Sequence, residues 1–238
     1  MNYLFLFDID GTILKLKQYH SKSIFRKCLK NVYSIDIAEE LMPNFSGMTD
    51  LKILDCICEK LNIDSTQLTS KIQEFWDALI LEFKQDSVKE NIIILPEIEN
   101  LIKWLDSDEN YYLGLVTGNF KANAYLKLET FNLHNYFEIG AFGCEYADRN
   151  LLPKLAINRA NELWGNKFDV TNSIIIGDSP NDIICSKNNS IFSVAVCTGF
   201  HSMQELNEFQ PDIIYEDFNN FKIKINEIIT KLNFKNGH

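Results

Sequence analysis

At 238 residues and 46% hydrophobic content, the chain is long enough to bury a sizeable core and suits one α/β domain with an insert. Its formal charge of −10 argues against a nucleic-acid backbone as the main partner. No apolar run reaches the length of a membrane span, and the N-terminus enters its first strand at once, so a cytoplasmic protein with no membrane partner is expected. The six cysteines, Cys28, Cys56, Cys58, Cys144, Cys185 and Cys197, include no CxxC pair and read as reduced core thiols.

In chain order, Tyr3-Leu4-Phe5-Leu6-Phe7 is short and wholly apolar, the pattern of a buried central strand. Asp8 and Asp10 follow at once, ahead of Gly11, so two carboxylates stand where a strand ends and a loop opens. Ligands of open α/β sheets bind at such places. Burying both acids is costly unless a cation neutralises them. A hard divalent ion such as Mg²⁺, which takes carboxylate and carbonyl oxygens, is the expected cation, and one acid is then free to act as a nucleophile.

From about Gln18 to about Glu90 the apolar period turns helical, through stripes such as Ile24, Phe25, Cys28, Leu29 and Val32, then Leu51, Leu54, Ile57 and Cys58, then Leu68, Phe75, Trp76, Leu79 and Phe83. These are core stripes, and no cofactor is assigned to their aromatics. Thr49 or Asp50 is placed to cap the helix that opens at Leu51. After Leu95-Pro96 helix and strand alternate, with strands near Tyr112, Phe137, Ile174, Ser193 and Ile213, which predicts a parallel, doubly wound sheet.

Two of those strands end in polar clusters. Tyr111 to Val116 runs into Thr117-Gly118-Asn119, which alone would pass for a strand-to-helix turn capped by Asn119. Ser173 to Ile176 runs into Gly177-Asp178-Ser179-Pro180-Asn181-Asp182, which alone would pass for an acidic helix cap. Between them, Asp148-Arg149-Asn150-Leu151-Leu152-Pro153-Lys154 offers two cations. With Pro153 at the first helical position, Lys154 falls inside the helix and Arg149 in the loop ahead of it. The Asn/Lys-rich end after Leu232 reads as a frayed tail.

Phe7-Asp8-Ile9-Asp10-Gly11-Thr12-Ile13, Thr117 and the Asp178 to Asp182 run, each at a strand end and in this order, resemble the motifs of the haloacid dehalogenase-like hydrolases. The resemblance covers nearly the whole chain. It implies a Rossmann-like core over residues 1–16 and 91–238, and an inserted all-helical cap over 17–90 similar to the class-I caps of phosphoglycolate phosphatase-like members. It implies a Mg²⁺-dependent phosphatase acting on a small phosphorylated metabolite, as monomer or homodimer, with no organic cofactor. Asp8 would be the nucleophile and Asp10 the general acid–base. Asp8, Asp178 and the Asp10 backbone carbonyl would hold the metal, and Asp182 would orient that shell. Thr117, Gly118, Asn119 and either Arg149 or Lys154 would bind the phosphoryl group. Arg149 is preferred because a guanidinium is always charged and can hold phosphate bidentately. Gly47 and Thr49 fall in a Gly-x-Thr-Asp cap loop expected to meet substrate. Relatives carry a basic residue where this chain has Met48.

The resemblance leaves three rivals. Dehalogenases of the family lack the second acid, so Asp10 argues against C–halogen chemistry. A phosphosugar mutase shares the acids but protects its phosphoenzyme from water. A non-catalytic phosphometabolite-binding or regulatory module would be expected to lose one of the costly clustered charges.

Overall fold

The computed structural model describes residues 1–16, 20–85 and 91–237. Its centre is a six-stranded parallel sheet built from β1 (Tyr3–Phe7), β4 (Tyr111–Thr117), β5 (Ile139–Phe142), β6 (Ser173–Gly177), β7 (Phe192–Val196) and β8 (Ile213–Tyr215), in the order β5-β4-β1-β6-β7-β8. A second, two-stranded antiparallel ribbon joins β2 (Leu14–Leu16) to β3 (Ile92–Ile94).

β1 is buried along its whole length, which explains its unbroken apolar sequence. Because side chains alternate across a strand, Phe5 and Phe7 join one core while Leu4 and Leu6 join another on the opposite face. The first core is completed by α5 (Ile98–Asp106), α6 (Lys121–Glu129) and α10 (Phe221–Lys235), and the second by α7 (Leu152–Trp164). α8 (Pro180–Asn188) and α9 (Met203–Asn207) pack over a smaller cluster of Ile183, Ala195 and Leu206. The expected doubly wound α/β class is what the chain forms.

Topology places the site. β1 pairs with β4 and β6 at once, with Phe7 level with Leu115 on one side and Ile176 on the other. The carboxyl ends carrying Asp8, Thr117 and Asp178 therefore converge. The chain also crosses β1 between β5 and β6, which makes this the switch point of the sheet, where open α/β folds bind ligands.

Between the two ribbon strands lie α1 (His20–Tyr33), α2 (Asp50–Leu61), α3 (Ser65–Thr69) and α4 (Ile72–Gln85). Their buried stripes, including Phe25, Ile57, Phe75 and Leu79, form a separate apolar cluster joined by one buried core residue, Phe120. Phe120 stacks on Trp76 with centroids 4.8 Å apart. The expected boundaries at 16/17 and 90/91 fall against residues 17–19 and 86–90, outside the described residues.

Two expectations need correction. The strand expected near Phe137 begins at Ile139. Phe137 itself ends a 3-10 turn and plugs the core, meeting Phe7 edge-on at 6.0 Å. The end after Leu232 is not frayed at its start, since α10 runs to Lys235 and Asn233 exchanges hydrogen bonds with the Tyr3 hydroxyl. All six cysteines are free thiols. Among the described residues, no helix is long and apolar enough to cross a membrane.

Candidate active site

Asp8, Asp178 and Asp182 are buried together, with one carboxylate oxygen from each lying within 4.8 Å of the others. Strand ends deliver the first two. The third arrives because Ser179 and Asp182 form a capping box at the start of α8, where Pro180 fits the first turn. Asp182 is fully engaged: Oδ2 accepts from the Ser179 amide at 3.0 Å and hydroxyl at 2.6 Å, and Oδ1 accepts from Arg149 at 2.5 Å. Among the described residues Asp178 accepts only from the Thr12 hydroxyl, at 3.3 Å, and so retains lone pairs.

Among the described residues, Arg149 is the single cation paired with this cluster. From the 3-10 turn Arg149–Leu151 its guanidinium donates to Asp8 at 3.2 Å, to Asp182, to the Val116 carbonyl at 3.1 Å and to the Gly47 carbonyl at 3.1 Å. Its Nε is buried and has no partner among the described residues. Three carboxylates against one guanidinium leave two negative charges. That surplus shows in the proton affinities. Burial pushes the Asp8 carboxyl up to about 7, with Arg149 opposing and Asp182 and Asp10 adding to the rise. Burial, then Asp182 and Asp8, hold Asp178 well above the usual carboxylate range. Burial works against the charge on Arg149, but Asp182 and Asp8 outweigh it and raise its pKa. A divalent cation matches both the charge and the all-oxygen donor set.

A cavity of about 260 Å³ opens above the cluster. Asp8, Asp10, Gly118, Asn119, Arg149 and Asp178 line its floor, while Phe25, Phe45, Leu79 and Phe83 from the helical insert line its roof. Thr117 is buried at the end of β4, where its hydroxyl accepts from the Asn119 amide at 3.3 Å and side chain at 2.9 Å, so its own hydrogen has no described acceptor. Gly118 is a packing requirement: a Cβ there would lie 1.9 Å from the Met48 carbonyl. Asn119 does not cap the next helix, since Phe120 holds that position; its side chain donates instead to Asp10 and Thr117.

Other expected residues lie elsewhere. Lys154 is exposed on α7 and does not line the cavity. Gly47 lines it and meets Arg149 through its carbonyl. Thr49 does not: its hydroxyl accepts from Lys52 N to cap α2 and donates to the Ala147 carbonyl at 2.8 Å. The Asp10 carboxylate is likewise outside the metal-capable group and faces Lys127, whose ammonium lies 2.9 and 2.6 Å from its two oxygens. Sequence reasoning missed Lys127. The signal was present, because Asn123, Ala124, Lys127 and Leu128 form the buried stripe of α6, and a lysine on such a stripe needs a partner.

Residues 5–196 match the family described as haloacid dehalogenase-like hydrolase. The chain belongs to that family. Among its relatives, a candidate pyrophosphatase, PpaX, from Caldanaerobacter subterraneus subsp. tengcongensis is 27% identical over 213 residues, covering 89% of each chain. A phosphoglycolate phosphatase from Vibrio vulnificus is 22% identical over 229 residues, covering 89% of this chain and 90% of the relative. The solved β-phosphoglucomutase of Clostridium difficile superposes with a TM-score of 0.71 at 22% identity over the whole of both chains. At that identity the likeness speaks for the haloacid dehalogenase-like fold alone.

Proposed function

We propose that this chain is a Mg²⁺-dependent phosphatase that hydrolyses a small phosphorylated metabolite through an aspartyl-phosphate on Asp8. The observation that carries this reading is the buried acid cluster at the switch point, two charges in excess, with a guanidinium on the Asp8 carboxylate. Bound Mg²⁺, held by the Asp8 and Asp178 carboxylates and the Asp10 backbone carbonyl, would neutralise charge on the transferring phosphoryl group. An Asp8 oxygen attacks phosphorus as the ester P–O bond breaks, and Asp10 gives its proton to the leaving oxygen. Asp10 then takes a proton from the water that attacks the acyl-phosphate, which returns both carboxyl groups to their starting state. The Thr117 hydroxyl hydrogen and the Arg149 guanidinium hold phosphoryl oxygens, and the close approach at Gly118 brings the insert loop against them.

The helical insert serves as a cap over the site. Its cluster roofs the cavity, and its chain leaves and re-enters the core through the β2–β3 ribbon. The names of the relatives support a small phosphate ester or anhydride as substrate class.

The test is turnover of an aryl phosphate with Mg²⁺ and with EDTA, followed by a panel of phosphorylated metabolites. Activity should require the metal and fall to background in Asp8→Asn. Metal-independent turnover by folded Asp8→Asn would sink the mechanism. A long-lived wild-type phosphoenzyme that a sugar phosphate discharges faster than water does would make the protein a mutase.

A further inference from the structure

We infer that Lys127 is a positioning residue for Asp10, the acid–base group of the reaction proposed above, on which this inference rests. Lys127 is 2% exposed, an unusual setting for a lysine, and lies in the last turn of α6. Its ammonium sits 2.9 Å from Asp10 Oδ1, 2.6 Å from Asp10 Oδ2 and 2.6 Å from Asn119 Oδ1. These contacts use its three donor hydrogens. The Asn119 amide completes the clamp by donating to Asp10 Oδ2 at 2.8 Å. The orientation of Asn119 is determined by this arrangement, since its oxygen faces the ammonium and its nitrogen the carboxylate.

The clamp treats the two carboxylate oxygens unequally. Among the described residues, Oδ2 receives two donors, Lys127 and Asn119, while Oδ1 receives Lys127 alone. The lone pair left on Oδ1 therefore assigns that atom to carry the proton between leaving group, water and enzyme. A buried ion pair is a weak source of net stability, because desolvation offsets most of the attraction. Asp10 keeps 35% of its side chain exposed and lines the cavity. What the lysine supplies there is orientation of a group that must meet substrate. The ammonium also lies 5.6 Å from the centre of the Phe83 ring on α4, so the clamp closes against the helical insert.

The experiment compares wild type, Lys127→Met, Lys127→Gln, Lys127→Arg and Asp10→Asn with 4-nitrophenyl phosphate, a substrate whose leaving group needs little protonation. Folding is checked by thermal melts, and the charge-neutral glutamine variant stands in if the methionine variant does not fold. Turnover number, KM and the phosphorylated fraction by intact-protein mass spectrometry after quenching are recorded. A misplaced acid–base group can cost on the order of 10²-fold in rate. Lys127→Met should lose about that in kcat, with KM falling alongside so that kcat/KM changes far less, and should accumulate phosphoenzyme as Asp10→Asn does. Lys127→Arg should recover part of the loss. Phosphoenzyme in Asp10→Asn with none in the folded Lys127 variants would overturn the role of Lys127 alone, as would kcat within twofold of wild type. No phosphoenzyme in Asp10→Asn while wild type turns over would overturn the parent reading, and the positioning role with it.

Discussion

Two cations within six residues illustrate how little separates a site residue from a surface one. Arg149 sits ahead of α7 in a 3-10 turn that directs it into the acid cluster, and Lys154 sits one turn later on the exposed side. Pro153 made this legible, since a proline near the helix start fixes which residues are loop and which are helix. Arg149→Ala should lower kcat/KM by on the order of 10²-fold or more, as loss of a transition-state donor commonly does. Lys154→Ala should leave kcat/KM within about twofold, as a solvated surface charge does. The reverse order, measured on folded variants, would assign the phosphate role to Lys154. Lys127 escaped notice for the opposite reason, because its partner Asp10 lies 117 positions away.

At the scale of elements, the joint between α2 and the sheet is the informative one. The Asp50 amide donates to the Gly118 carbonyl at 2.8 Å, the Leu51 amide to Gly143 at 3.2 Å, and the Phe120 amide to the Asp50 carboxylate at 2.7 Å. The N-cap role of Thr49 was readable from local sequence; the docking of that helix end onto the core was not. Desolvation in the joint pushes the Asp50 carboxyl up to about 7, against the Phe120 amide and Lys127, which favour its charge. The folded form therefore binds its proton more tightly than the unfolded chain does. The stabilising contribution is complete below an ordinary aspartate pKa of about 4 and is lost as pH rises through about 7. Asp50→Asn cannot ionise, so its stability relative to wild type should rise between pH 5 and pH 8. The gain should be on the order of 1 kcal/mol, because Asp50 lines the cavity and solvent there moderates the full effect of about 1.4 kcal/mol per pKa unit. Denaturant unfolding at the two pH values measures it, and a constant difference between variant and wild type would refute it.

For the whole molecule, the proposed metal site would couple metal binding to folding. Three carboxylates and one guanidinium meet only when β1, β6 and α8 are assembled, so a cation that binds there binds the native state. At about 100 times its Kd, such an ion stabilises by about 2.7 kcal/mol, or roughly 5 to 10 °C in Tm for a chain of this size. Mg²⁺ should raise the Tm of wild type in a saturable way. Asp178→Asn should show no such rise, yet melt no lower than wild type in EDTA, because one repelling charge is gone. An undiminished Mg²⁺ shift in that variant would place the ion elsewhere.

The sequence by itself determined the strands of the parallel sheet, one of them displaced by two residues, with their strand-end acids and the inserted helices, but not the β2–β3 ribbon. Each is written in a short window, as an apolar run, a period or a cap, and the free energy that decides it acts within a few residues or against any apolar surface. The parallel direction of the strands was also implied, since alternating helix and strand leave few unknotted ways to pack; their order was not. Tertiary structure alone decided the pairing of charges: Arg149 with Asp8 and Asp182, Lys127 with Asp10, Asp50 with the Phe120 amide. An ionisable group gains or loses proton affinity through its desolvation and its neighbours in space. Neither quantity exists until β1 lies between β4 and β6 and the helical insert closes on Phe120.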